Sequence, residues 1–260
     1  MVYGDGGVGK TTFASTAPNP ILADCENGSK YFGLRGISVI VGRIEKWSDV
    51  VEFIKEAKKS KYKTIIIDPI GELMDKLQVY MVNEADKKLV QSDGSPTMAG
   101  WGWLKKQIRN VFKVLRDTGK NVILVAHIDE KEDEGRMIKR PMIATKISAE
   151  LVNMVDIVGY MTVVSDGEKE RRVILVDPTS DKYVAKDRTG TLGKVIAPNF
   201  TQIIKAINGD KKYKWAKEVI VPKKTDKPDE KSETSEKKEK LQKKLDKIKG
   251  GKNASGKSKS

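Results

Sequence analysis

Apolar positions along this chain follow two alternating patterns. Thr64 to Asp68 (TIIID) and Asn121 to Ala126 (NVILVA) are short unbroken runs, the first ending on Asp68 and the second followed by His127. Runs of this length, rich in β-branched residues, predict strands buried on both faces. Ile21-Leu22-Ala23, closing at Asp24 and set off by Pro18 and Pro20, is a shorter run of the same kind. Between the runs, apolar residues recur at helical spacing. Thr11 to Thr16 starts a helix that the prolines end, and Ser48 is placed to cap a helix carrying Val51, Ile54 and Ala57 or Lys58. Leu104, Ile108, Val111, Phe112 and Leu115 form the stripe of a long helix predicted from Trp103 to Thr118, with Gly119 as its stop. Strand and helix in alternation predict an α/β fold: a mostly parallel sheet with helices on both faces.

The pattern changes past residue 150. Ile157 to Val164, Arg172 to Val176 and Tyr183 to Lys186 read as short strands split by Ser165-Asp166-Gly167 and by Pro178 to Asp181, which predicts hairpins and an antiparallel extension on the C-terminal side. Asn199 to Ile207 reads as a closing helix. From Pro222 the chain is Lys, Glu, Ser and Asp, relieved only by Leu241, Leu245 and Ile248, so a nascent helix near Glu236 to Ile248 is the most it supports. The expected organisation is one domain over residues 1–221 and a disordered, Lys-rich tail over 222–260.

Composition sharpens this division. Hydrophobic residues make up 38% of 260, low for a chain packed throughout, and the tail accounts for the deficit. Net charge is +14, and the 14 Lys against 7 Asp plus Glu from Pro222 onward put +7 of it in the tail. A basic balance on both parts favours an acidic partner, nucleic acid first, without naming DNA or RNA. The single cysteine, Cys25, excludes an intramolecular disulfide and fits a reducing cytoplasm. No run reaches the length of a membrane span and the N-terminus lacks a signal-peptide layout, so a soluble cytoplasmic protein with no membrane partner is expected.

Chemistry enters at Gly4-Asp5-Gly6-Gly7-Val8-Gly9-Lys10-Thr11, a complete G-x-x-x-x-G-K-[ST] P-loop between a strand and a helix start. Its glycines let consecutive backbone N–H groups approach phosphate oxygens. Lys10 neutralises the β- and γ-phosphates, the Thr11 hydroxyl ligates Mg²⁺, and Thr12 reaches the α-phosphate, so ATP with Mg²⁺ is the expected ligand. Only Met1-Val2-Tyr3 precede the loop, so its strand is expected to be short or the chain to begin late. Asp68, at a strand end, is the expected carboxylate of the metal site. Glu26, in Asp24-Cys25-Glu26, is the candidate to activate water, and His127 the candidate to sense the γ-phosphate; Cys25 reads as packing.

Taken in order, GDGGVGKTT (Gly4 to Thr12), ADCE (Ala23 to Glu26), TIIID, VILVAH (Val122 to His127) and AKDRTG (Ala185 to Gly190) resemble the phage-encoded, RecA-like P-loop ATPases with an AAA domain, some of which are single-strand annealing recombinases. The likeness spans about Met1 to Ile207. It implies a RecA-like core in which Glu26 is the water-activating glutamate and His127 the strand-end sensor. Lys186 and Arg188 then fall where such proteins place cationic fingers reaching the nucleotide of an adjacent subunit, which implies a homo-oligomer with nucleotide at the interface. The region after the sensor, Asp129 to Lys146, corresponds to a loop that touches single-stranded DNA. It carries Lys131, Arg136, Lys139, Arg140 and Lys146, but Asp129, Glu130, Glu132, Asp133 and Glu134 repel phosphate from its first half, which favours Arg136, Lys139 and Arg140. Trp101 and Trp103 are candidates to stack on bases, Trp103 equally a core residue.

GGVGKTT is also found in partition-type ATPases, but these carry a lysine where this chain has Asp5, and no acceptor-binding lid favours a kinase. The expected function is an ATP-hydrolysing protein acting on single-stranded DNA in phage recombination or annealing. The alternative is an ATP-dependent switch or loader of another DNA-processing protein, with little turnover.

Overall fold

In the computed structural model, which describes residues 1–165, 167 and 169–210, the apolar runs form the centre of a ten-stranded sheet. Its strands are β1 (Val2–Gly4), β2 (Pro20–Asp24), β3 (Ile40–Arg43), β4 (Thr64–Asp68), β5 (Asn121–Asp133), β6 (Arg136–Pro141), β7 (Ile157–Ser165), β8 (Glu170–Leu175), β9 (Lys186–Asp187) and β10 (Val195–Ile196). The parallel part runs β3-β2-β4-β5-β1-β7. Beyond it β7, β8 and β10 pair antiparallel, and β9 adds to β7, which is the expected extension.

Alternation along the central strands sends side chains to two separate cores. Ile65, Ile67, Leu124 and Ala126 face α2 (Trp47–Lys59), α3 (Ile70–Glu84), α4 (Met98–Arg116) and α5 (Thr145–Met154), through Ile54, Leu73, Leu77, Leu104, Ile108 and Leu151. Ile66, Ile123 and Val125 face α1 (Lys10–Ser15) and α6 (Phe200–Ile207), through Phe13, Ala14 and Ile203. With both faces covered, all five residues of β4 are buried, as its unbroken apolar run requires. β1 is as short as expected, yet it pairs with β5 and β7 on either side, and the Tyr3 hydroxyl donates to the carbonyls of Val184 (2.8 Å) and Lys139 (3.0 Å).

Several elements differ from expectation. The stretch after His127 is no loop: β5 continues to Asp133 and pairs with β6 from Ile128↔Pro141 to Asp133↔Arg136, turning on Glu134 (φ 49°) and Gly135 (φ 77°). α5 then follows. α4 begins five residues before Trp103, where the Thr97 hydroxyl accepts from the Gly100 N–H at 3.1 Å. α2 is capped by Asp49, whose carboxylate accepts from the N–H groups of Glu45 (2.9 Å) and Lys46 (3.0 Å), while Ser48 lies inside the helix. β3 and α3 add to the elements that the sequence pattern predicts. The tail from Pro222, residues 211–221 and the Lys146 side chain lie outside the described residues. No described helix is long and apolar enough to cross a membrane.

Candidate functional site

Strand register decides which side chains meet. Asp24 on β2 is level with Asp68 on β4, and Gly4 on β1 is level with His127, the last parallel-paired residue of β5, so the carboxyl ends of β1, β2 and β4 and the point where β5 leaves the parallel sheet lie along one edge. In open α/β sheets this edge, where the chain turns from one side of β1 to the other, is where ligands bind.

Between β1 and α1 the glycine loop has the required freedom. Gly7 (φ 75°) and Gly9 (φ 108°) occupy the left-handed region. A Cβ on Gly4 would lie 2.2 Å from the Met161 carbonyl oxygen of β7, so this position admits no side chain. Gly6 and Gly7 have open space on the side where a Cβ would stand, leaving their backbone accessible to a ligand. Lys10 is 7% exposed and folds back on the loop, its Nζ donating to the carbonyls of Gly4 (2.8 Å) and Asp5 (2.7 Å). Burial draws its pKa below the ordinary lysine value, opposed by the charges of Asp68, Asp5 and Glu26.

Thr11 and Asp68 meet directly, the hydroxyl donating to Oδ2 at 2.6 Å. Burial pushes the Asp68 carboxyl up to about 6, against the Thr11 hydrogen bond and Lys10 and with help from Glu26 and Asp24. A hydroxyl beside a carboxylate is a pair of hard oxygens of the kind that could hold Mg²⁺.

Glu26 and His127, distant in sequence, face each other across the same cleft, with Nε2 and Oε2 3.2 Å apart. The backbone leading to Glu26 is pinned: Cys25 N–H donates to the Asp68 carbonyl (2.8 Å), and Lys76 Nζ from α3 donates to the Cys25 carbonyl (2.8 Å). Asp24, 3% exposed, accepts the N–H groups of Gly28 (3.1 Å) and Ser29 (3.0 Å) and shapes the turn beyond Glu26. The Cys25 thiol is buried and pushed up to about 12, which keeps it protonated and inert and fits the packing role expected of it.

Gly6, Lys10, Thr11, Asp68, Glu26 and His127 thus line one cleft of ≈ 240 Å³. Tyr31 and Arg35 line it too, and sequence reading missed them. They sit in a non-periodic stretch, and the one available signal was its position immediately after the strand that delivers Glu26.

The other expected cations lie elsewhere. Lys186 Nζ donates to the carbonyls of Val152 (2.8 Å), Asn153 (3.0 Å) and Val155 (2.8 Å) at the end of α5. Arg188 donates to the Asn153 carbonyl (2.9 Å) and to Asp156 (3.1 Å). Within one chain both satisfy a helix C-terminus and stand outside the cleft. Arg140 pairs with Asp129 (2.6 Å), Lys139 donates to the Tyr160 hydroxyl (3.1 Å) and lies 3.8 Å from Glu130, and Arg136 lies 3.3 Å from Asp181. Trp103 stacks on Tyr80, with centroids 6.5 Å apart, and Trp101 packs against the core.

A protein-family model described as an AAA domain matches residues 1–189, from the loop strand through β9. No curated protein matches the chain. Among solved structures, the KaiC-like protein PH0186 from the hyperthermophilic archaeon Pyrococcus horikoshii OT3 shares 14% identity over 67% of this chain and 75% of that one, with a TM-score of 0.37.

Proposed function

The chain belongs to the AAA-domain family over residues 1–189, and from that premise we propose a Mg²⁺-dependent ATPase that acts on single-stranded DNA, in phage recombination or strand annealing. The observation that carries the hydrolytic part is the meeting of two pairs in one cleft, Thr11 with Asp68 and Glu26 with His127, beneath an open glycine loop.

In this reading the loop N–H groups and Lys10 hold the phosphate chain, Lys10 exchanging the Gly4 and Asp5 carbonyls for phosphate oxygens. Thr11 and Asp68 would hold Mg²⁺, which supplies charge neutralisation on the β- and γ-phosphates. Glu26 accepts a proton from the water whose oxygen attacks the terminal phosphorus. As that bond forms, the bond to the β–γ bridging oxygen breaks, and ADP and phosphate result. His127 fixes the direction of the Glu26 carboxylate. The nucleic-acid part rests on the net charge of +14, half of it in the tail. We also propose a homo-oligomer with nucleotide at the subunit interface; Lys186 and Arg188 serve a neighbour's nucleotide only by giving up the α5 carbonyls.

The Glu26–His127 contact also admits a second reading, an ATP-dependent switch or loader with little turnover, in which His127 keeps the candidate base occupied. Steady-state ATP hydrolysis with and without a single-stranded oligonucleotide separates the two. Stimulation by the oligonucleotide supports the DNA-dependent ATPase. Tight ATP binding with negligible turnover in both conditions supports the switch.

A further inference from the structure

We propose that Arg35 is a phosphate-contact residue acting in cis, presented to the terminal phosphate of a bound nucleoside triphosphate by the segment from Asn27 to Gly36. The proposal rests on the nucleotide-binding reading of the cleft and adds a residue that neither the P-loop motif nor the family match assigns.

Charge balance in the cleft motivates it. Asp24, Glu26 and Asp68 line the cleft with Lys10 as the loop's cation, so a triphosphate extending from the loop toward Glu26 meets carboxylates. A donor on that wall is what a terminal phosphate lacks. Lys186 and Arg188 do not supply it within the chain, because α5 and Asp156 hold them. Arg35 lines the same cleft and is exposed, and its guanidinium has no hydrogen-bond or ion-pair partner among the described residues. A guanidinium is also the side chain best matched to phosphate, through its fork of parallel N–H groups.

Folding fixes its position. Two 3₁₀ turns, Gly28–Tyr31 and Gly33–Arg35, lie between Asn27 (φ 63°) and Gly36 (φ 65°). Asp24 holds the first turn by the Gly28 and Ser29 N–H groups. Phe32 anchors the middle, 8% exposed in the core cluster that contains Phe13, Ala17 and Leu22. Its carbonyl accepts from the N–H groups of Arg35 (3.0 Å) and Ile37 (3.0 Å), which ties Arg35 to the anchor. The Glu26 carboxylate lies 3.7 Å from where a Cβ on Gly28 would stand, so the segment begins against the candidate base.

The test is isothermal titration of the full chain with ATP and with ADP in Mg²⁺, for the wild type, Arg35→Ala and Arg35→Lys. Arg35→Ala is expected to weaken ATP by roughly 10- to 100-fold, the range of a charge-assisted contact, and ADP by less than about 3-fold, a change too small for a lost contact of that kind. Arg35→Lys should recover part of the ATP loss. Unchanged ATP affinity in Arg35→Ala overturns the proposal, and so does an equal loss for both nucleotides, which places the contact away from the terminal phosphate. An unaltered melting temperature of the nucleotide-free variant supports a ligand role, and a large drop overturns it in favour of a structural one. Failure of the wild type to bind either nucleotide overturns the underlying reading as well, an outcome distinct from wild-type binding that Arg35→Ala leaves intact.

Discussion

At the carboxyl edge of the sheet, Asp68 is buried against a hydroxyl with its carboxyl pushed up to about 6, and the Arg35 guanidinium has no partner among the described residues. On the hairpin that continues β5 past the same edge, Arg140 pairs with Asp129, Lys139 with Glu130 and Tyr160, and Arg136 with Asp181. In the cleft Asp68 and the Arg35 guanidinium have no ion-pair partner among the described residues, while on the hairpin each of these cations is paired within the chain. Charge without an ion-pair partner, held in place by the fold, favours binding a charged ligand, since fewer internal ion pairs must be broken. A cation count over residues 129–146 therefore overstates the hairpin's attraction for phosphate, and the cleft, poorer in cations, is the better prepared site.

Removing the charge at the loop tests the cleft side of this contrast most severely. Lys10→Ala should weaken ATP on the order of 100-fold, from the loss of a charge-assisted phosphate contact, as read by isothermal titration. An unchanged affinity would mean that the loop backbone alone holds the ligand.

Asp68 offers a test of opposite sign in stability and function. Its native carboxyl titrates near 6, above the ordinary 3.8, so the fold binds the proton more tightly than the unfolded chain. Its cost is absent below the unfolded pKa, grows as pH rises through the interval between the two values, and is complete above about 6. Asp68→Asn should therefore stabilise the nucleotide-free protein at pH 7 by about 1–3 kcal/mol, with the gain shrinking toward pH 4, and should abolish the Mg²⁺ dependence of ATP binding. Thermal melts across pH check the first part and titrations with and without Mg²⁺ the second.

On the hairpin, Asp129→Asn should do the reverse, costing stability by breaking a satisfied pair. With both side chains partly exposed, about 1 kcal/mol is expected in urea unfolding. Freed Arg140 should also raise single-stranded DNA affinity a few-fold at low salt and less at high salt. No change in either would dissolve the contrast between the two regions.

What the sequence discloses follows from which interactions are local. The glycine loop, TIIID and NVILVA are legible because each is a contiguous pattern, and the strand-end position of Asp68 follows from where TIIID stops; His127, expected at a strand end, lies inside β5, which runs on to Asp133. α3 carries a readable stripe in Ile70, Leu73, Leu77 and Met81, but Pro69 and Gly71 at its start mimic a turn. The hairpin is invisible to hydrophobic periodicity, because charged residues crowd it, from Asp129 to Asp133 on one strand and at Arg136, Lys139 and Arg140 on the other. Arg35 is hidden for a different reason: its 3₁₀ turns have no sequence period, and its place in the cleft depends on Phe32 docking beside α1. The Asp129, Asp156 and Asp181 pairings are tertiary contacts that no spacing rule reports.

The central claim is that the cleft is a hydrolytic site with Glu26 as its base, and one paired measurement tests it most directly: ATP affinity and steady-state hydrolysis in the wild type and in Glu26→Gln. Equal affinity is expected, with turnover lowered by roughly 10²- to 10⁴-fold, the usual contribution of a positioned general base. Hydrolysis by Glu26→Gln at the wild-type rate would contradict it.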